Sequence, residues 1–456
     1  MALKQAVACA AIEKAVAQII NKSLCEVAGA WLCLVNTAEG KKLVCVANDE
    51  SAMLQMLATE NKLEENGVTI YVMALNPNNA AVVRRFVKWA APKACGTKGT
   101  SIGFSDWLGA ADAFVADLFV NRQMKPVLVE YTPEDSALLK RNFLEAVDTA
   151  TWGILEKGYK EGYGANAAGL KTEEEIVKAL LYGYSMIGFD CSEKINLSIE
   201  KLSQEEINKR YNQFNDQFRT AMKESYLNAE FKVGSSKLSF TEDELHRIVL
   251  EYGEAIMHVQ FIYNSYLKNT PWDIDFELSF SKPGKILTPQ EHYLIANELQ
   301  RNGIKLAAIC LDGIQDQEAL HANLQLHCEI ADTFGYRLSF RNADLTIENP
   351  SAAVKYLKNK VHFKLNNVLW LAALQLIAEK DAALLAKIAD ALGLDAVQAE
   401  ELTCSSEIGR KYALGYTAVL NHENTLAAEI KDFITPNKAE YATKVTQLTE
   451  KFIKAL

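Results

Sequence analysis

A chain of 456 residues, 49% of them hydrophobic and 23% charged, holds enough apolar material for a large core or for two to three domains, and too much for a disordered protein. Its net charge of −10, with no run of Lys and Arg, argues against a partner such as nucleic acid or an anionic membrane and leaves small molecules and proteins. Nine scattered cysteines without a CxxC pair exclude a zinc cluster or a disulfide framework and suit reduced thiols in a cytoplasmic protein.

The N-terminal segment MALKQAVACAAIEKAVAQII is apolar, but Glu13 and Lys14 interrupt it, so it reads as an amphipathic helix rather than a signal or a membrane span. Strand-like runs follow at 31–35, 42–47 and 68–75, with a helix expected over 51–65. Together these make a small N-terminal α/β domain over 1–98. The Gly- and Thr-rich stretch 91–101 reads as the linker that ends it, because the Walker pattern of a phosphate loop is absent.

From 126–131 (PVLVEY) onward, apolar runs alternate with helical patterns: 185–190, 275–280, 306–312, 337–342 and 361–366 all read as strands. Repeated βα units mean a parallel sheet covered by helices, and the architecture expected is α/β, a (β/α)8 TIM-type barrel over 99–390. In such a barrel the reacting groups sit at the C-terminal ends of the strands. Capping boxes at Ser203/Glu206 and Thr241/Glu244 mark a helical insertion at about 195–270, with a short hairpin near 231–240. It is expected to act as a lid, or as the surface for a homo-oligomer or protein partner. The segment 391–456 is expected to be helical.

Within this pattern the stretch 148–175 carries Trp152, Tyr159 and Tyr163 among five glycines, then Lys171 and the capping box Thr172-Glu173-Glu174-Glu175. Two readings fit it: a binding loop that shapes a pocket mouth, and a glycine-rich connection between helices whose aromatic residues are core.

Asp148 to Glu175, written DxATWGxxxxGYxxGxGAxAxxLKTEEE, resembles the tagaturonate epimerase family. So do TPxxHxxxANELxRxGIK over 288–305, QLHCEIADTFGYRLS around His327, and VHFKxxxxxWLxALxxIAEKD over 361–381. The resemblance spans about 99–381. It implies a (β/α)8 barrel and an enzyme that interconverts tagaturonate and fructuronate with a divalent metal. That reaction inverts a carbinol centre not directly next to the ketone, which calls for a Lewis acid and a positioned acid and base.

The polar positions depart from the family's pattern. Where the family reads GADADH, this chain has Asn166, Ala168 and Gly169 at the two carboxylates and the histidine; Trp107 stands for an arginine beside the retained Asp106. Ser279-Phe280-Ser281-Lys282 replaces SVDE, Arg341 replaces a metal-ligand histidine, and Ala413 replaces another histidine, whereas His362 and Lys364 are kept. Of the seven histidines only His362 falls on an expected strand.

The strand ends leave Lys171, Lys364, Asp106 and Asp190 as candidate catalytic residues, the lysines as bases or Schiff-base formers with pKa values lowered by burial. Lys171, Arg341, His362 and Lys364 are the candidate substrate-binding residues. No metal ligand set and no cofactor are expected. These readings combine into a diverged family member that has given up metal-dependent epimerisation and holds a sugar acid or a protein partner. The alternative is an active isomerase of keto sugar acids with a non-standard site.

Overall fold

Continuous apolar runs such as 32–35 and 43–46 put apolar side chains on both faces of a sheet, so the sheet must be covered twice. The computed structural model, which describes residues 4–47, 51–227, 229–280, 282–312 and 317–456, contains this sheet as β1 (Cys25–Val27), β2 (Ala30–Thr37), β3 (Gly40–Val46), β4 (Asn61–Glu65) and β5 (Val68–Met73). It is antiparallel, in the order β1-β2-β3-β5-β4. Cys33, Val35, Val44, Ile70 and Val72 pack under Ala8, Ala11 and Ile12 of the helix Gln5–Ala15. Leu32, Leu34, Leu43, Tyr71 and Met73 point the other way and merge with the core of the barrel.

The helix expected over 51–65 is not formed. Described residues there make a 3-10 turn, Leu54–Met56, and the edge strand β4. Asn61-Lys62-Leu63-Glu64-Glu65 is polar on both faces, as suits an exposed edge, and so lacks the alternation that announces a strand. The signal that could have identified it is Asn66-Gly67, whose φ values of 51° and 75° make the turn to β5.

The barrel closes from eight parallel strands. The first four are β6 (Thr100–Phe104), β7 (Met124–Tyr131), β8 (Gly164–Leu170) and β9 (Met186–Asp190). After the insertion, whose hairpin is β10 (Phe231–Val233) and β11 (Ser236–Leu238), come β12 (Asp275–Ser279), β13 (Ala308–Asp312), β14 (Arg337–Arg341) and β15 (Val361–Leu365). β15 pairs with β6 to complete the ring.

Two of these strands correct the sequence reading. β6 begins inside the stretch taken as a linker, and β8 is the stretch taken as a Gly-Ala loop. β8, Gly-Ala-Asn-Ala-Ala-Gly-Leu, has none of the β-branched content that marks a strand, and β6 is a five-residue strand that runs straight on from the Gly- and Thr-rich stretch. β8 is small because its surroundings leave no room: a Cβ on Gly164 would lie 3.0 Å from Val127 Cγ2 and 3.1 Å from Cys95 Sγ. On β6, a Cβ on Gly103 would fall 2.5 Å from Glu130 Oε1, so that glycine makes space for a charged side chain inside the barrel.

The insertion holds the helices Gln204–Tyr211, Asp216–Tyr226 and Glu242–Ile262, the last opened by a capping box at Thr241 and Glu244. Lys282 ties it to the barrel. Its Nζ lies 2.9 Å from Glu251 Oε1 of the insertion and 3.2 Å from Glu291 Oε1, and Arg247 Nη1 bridges the same two carboxylates at 2.7 and 2.9 Å. After β15 the chain is helical, and Val368–Lys380 is the most deeply buried of these helices. All nine cysteines are free thiols, and no described helix is long and apolar enough to cross a membrane.

Candidate active site

Barrel strands alternate, and here the polar residues take the inner positions. β12 places Asp275, Glu277 and Ser279 at i, i+2 and i+4; β14 places Arg337, Ser339 and Arg341; β15 places His362 and Lys364 between Val361, Phe363 and Leu365, which pack outward. An interior of this kind usually holds branched apolar side chains. In this chain it holds a hydrogen-bonded column.

At the N-terminal end Asp275 accepts from the backbone N–H groups of Cys95 (2.7 Å) and Gly96 (3.0 Å), and Arg337 Nη2 lies 3.5 Å from its Oδ2. Arg337 Nη1 donates to Ser101 Oγ at 2.6 Å, which leaves the serine proton for His362 Nδ1 at 2.9 Å. The ring then presents Nε2–H to Glu130 Oε1, 2.6 Å away. Glu130 Oε2 accepts from Asn166 Nδ2 at 2.9 Å and lies 3.5 Å from Lys364 Nζ, which also pairs with Glu277 Oε1. Glu130 and Glu277 are each 2% exposed and Lys364 1%.

Charges this deep persist only when paired. Burial pulls the Lys364 ammonium toward neutrality, but Glu130 and Glu277 outweigh it and its pKa rises. This overturns the lowered pKa expected of a buried strand lysine: Lys364 is held as a cation, an acid rather than a nucleophile. For Glu277 burial likewise opposes the charge, while Lys364 and His362 favour it, and its carboxyl is held below the ordinary value.

The mouth lies above this column. Arg341, at the end of β14, is partly exposed, with Nη1 4.0 Å from Asp312 Oδ2. A Cβ on Gly169 would lie 3.7 Å from Arg341 Nη2, so the guanidinium reaches into the space that the glycine leaves free. Burial opposes its charge, but Cys310, Asp312, Glu277 and Asp190 reinforce it. Lys171, one residue beyond β8, sits at the rim with Nζ 3.3 Å from Glu134 Oε1, and Asp190 accepts from the N–H of Ser192 at 2.9 Å.

Asp106 serves a different purpose. Its Oδ2 accepts from Ala111 N–H at 2.7 Å and its carbonyl from Arg141 at 2.9 Å, which fixes the turn carrying Trp107. Trp107 stacks on Tyr416 with ring centroids 3.6 Å apart, joining the first barrel loop to the C-terminal helices.

Thus the structure brings His362 and Lys364 together inside the barrel, sets Arg341, Lys171 and Asp190 at the mouth, and keeps Asp106 in a turn. Lys282, from the stretch that replaces SVDE, belongs to the insertion joint. Glu130, Glu277, Asn166, Ser101 and Arg337 were not identified from sequence. For Glu277 and Arg337 the signal was there in DFELSF and RLSFRN, where polar and apolar residues alternate.

A divalent ion needs several converging oxygen, nitrogen or sulfur donors. Among the described residues no three His, Cys, Asp or Glu side chains form such a group. Asp190 and Asp312 share the mouth with a guanidinium, whose fixed positive charge repels a second cation. The described side chains at the mouth do not fit a metal.

Fold and site together define a parallel α/β barrel protein with a charged interior opening toward its C-terminal face. Residues 20–401 match the family model described as UxaE, tagaturonate epimerase, and the chain belongs to that family. A tagaturonate/fructuronate epimerase of Thermotoga maritima is 26% identical over 372 residues, covering 79% of this chain and 76% of the relative. The native crystal structure of a fructuronate-tagaturonate epimerase from Cohnella laeviribosi superposes with a TM-score of 0.87 at 24% identity, covering 99% of both chains. A glycerol complex of the Cohnella protein gives 0.86 over 96% of each chain.

Proposed function

We propose that this chain is a diverged member of the family that holds a keto sugar acid at the barrel mouth and does not carry out metal-dependent epimerisation. The observation that supports this reading is the Arg341 guanidinium between Asp312 and the space beside Gly169. A planar fork of donors suits a carboxylate, and a rim lysine, Lys171, supplies a second cation. Asp190 and Asp312 offer acceptors to sugar hydroxyls.

Calorimetric titration with tagaturonate and fructuronate in EDTA tests the proposal. Saturable binding is expected, weakened at least tenfold in Arg341→Ala, with no epimerisation by NMR after manganese or zinc is added. Metal-dependent turnover refutes it. No binding of any sugar acid also refutes it and transfers the function to a protein partner.

A second reading, a metal-free isomerase, is favoured by the Lys364–Glu277 pair beneath the mouth. An ammonium held charged can polarise a carbonyl, and a carboxylate held ionised can take a proton. Turnover in EDTA that disappears in Glu277→Gln distinguishes this reading from the first.

A further inference from the structure

Alternation along β15 sends Lys364 into the barrel and Leu365 to its outer wall, where the C-terminal helices cover it. The cover is incomplete. A cleft of about 310 Å³ remains between the segment after β14, the start of the helix Val368–Lys380 and the helices Glu407–Leu414 and Lys438–Lys454. That volume is at the lower end of the range for small-molecule sites, about 300 to 1,000 Å³.

Ile347, Leu448 and Phe452 make its walls largely apolar, and two cations, Arg410 and Lys451, stand over them. Among the described residues neither cation has a carboxylate within ion-pair distance. Of the two acids lining the cleft, Asp344 is already engaged: its Oδ2 accepts from Asn367 N–H at 2.8 Å and its Oδ1 from Asn367 Nδ2 at 3.2 Å. Glu348 is exposed.

Free cations over apolar walls are complementary to an amphipathic anion. We propose that this cleft is a second ligand site, distinct from the barrel mouth, for a small carboxylate with an apolar body. Its side-chain hydroxyls are confined to Thr403 and Ser405, too few for a polyhydroxylated acid, so its ligand differs in class from that of the mouth.

Titration calorimetry with 4-phenylbutyrate, and with 4-phenylbutanol as its uncharged counterpart, tests the site. Saturable binding of the acid is expected, at least tenfold tighter than the alcohol, weakened at least tenfold in Arg410→Met/Lys451→Met and unchanged in Arg341→Ala. Circular dichroism and melting temperature check that the variants fold. Lys451→Met alone, at an exposed position, serves if the double variant does not. The site is refuted by absence of saturable binding, by equal binding of the alcohol, by binding indifferent to the cleft variants, or by its loss in Arg341→Ala.

Discussion

Two buried lysines in this molecule have nearly the same company. Lys364 lies between Glu130 and Glu277 with His362 on the far side of one carboxylate, and Lys282 lies between Glu251 and Glu291 with Arg247 bridging both. The two sets differ in their fourth member and their address. Around Lys282 it is an arginine, whose charge is permanent, and the set sits where the insertion meets the barrel. Around Lys364 it is a histidine, hydrogen-bonded through Nε2 to Glu130, and the set sits beneath the C-terminal mouth of the barrel. A fixed quartet is suited to joining elements. A quartet beneath the mouth stands where a ligand held there would meet it, and similar residue types serve different ends by position.

The comparison breaks first at the joint. Lys282→Met leaves two buried carboxylates facing a single arginine, and a loss of about 3–5 kcal/mol is expected from urea denaturation, because breaking a buried pair strands its partner. An unchanged midpoint would make the joint incidental.

Lys364→Met is expected to cost less, about 2 kcal/mol, since Glu130 and Glu277 can share a proton once the ammonium is gone. Sharing a proton means that a carboxylate pKa rises in the folded variant, so the penalty is present at high pH and relieved as pH falls. Denaturation at pH 8 and pH 5 should therefore show the larger loss at pH 8. The reverse order would remove the distinction between the two quartets.

The effect that is smallest at neutral pH concerns a pair of histidines next to the joint. His292 follows Glu291, its Nδ1 lies 2.9 Å from His327 Nδ1, and Tyr336 Oη lies 2.6 Å from its Nε2. Burial drives the His292 pKa well down; burial also lowers that of His327 to about 4, with Glu291 acting against it. Both folded values lie below that of the unfolded chain, so the unfolded state binds more protons. Their contribution is complete above about pH 6.5 and is lost as pH falls toward 4. Each histidine adds a slope of about 1.4 kcal/mol per pH unit in that window. His327→Gln is expected to flatten the measured curve by about one proton, and an unaltered slope would place the acid sensitivity elsewhere.

The strands carrying Val127, Ile187, Leu278, Ile309, Leu338 and Phe363 announced themselves by apolar runs, and the capping boxes at Thr172 and Thr241 placed the helices that follow. β8 stayed hidden because glycine and alanine carry no strand preference of their own and the neighbouring strands impose it; β6 stayed hidden because its five residues run on from a Gly- and Thr-rich stretch. His362, Lys364 and Arg341 were readable as strand-end groups. Glu130 was not, because one acid within PVLVEY looks like an exception in a buried strand until Gly103 on the adjacent strand is seen to make room for it.

By itself the sequence determined the alternation of polar and apolar residues, the helix caps, the family and hence the barrel. Which polar faces meet was decided only by closure of β15 onto β6, which brings His362 against Ser101 and Glu130 and sets Lys364 between Glu130 and Glu277. The reason is physical. Local pattern fixes the side of a strand on which a residue lies, but charge pairing depends on separations of a few ångströms between residues far apart in the chain, and packing alone sets those distances.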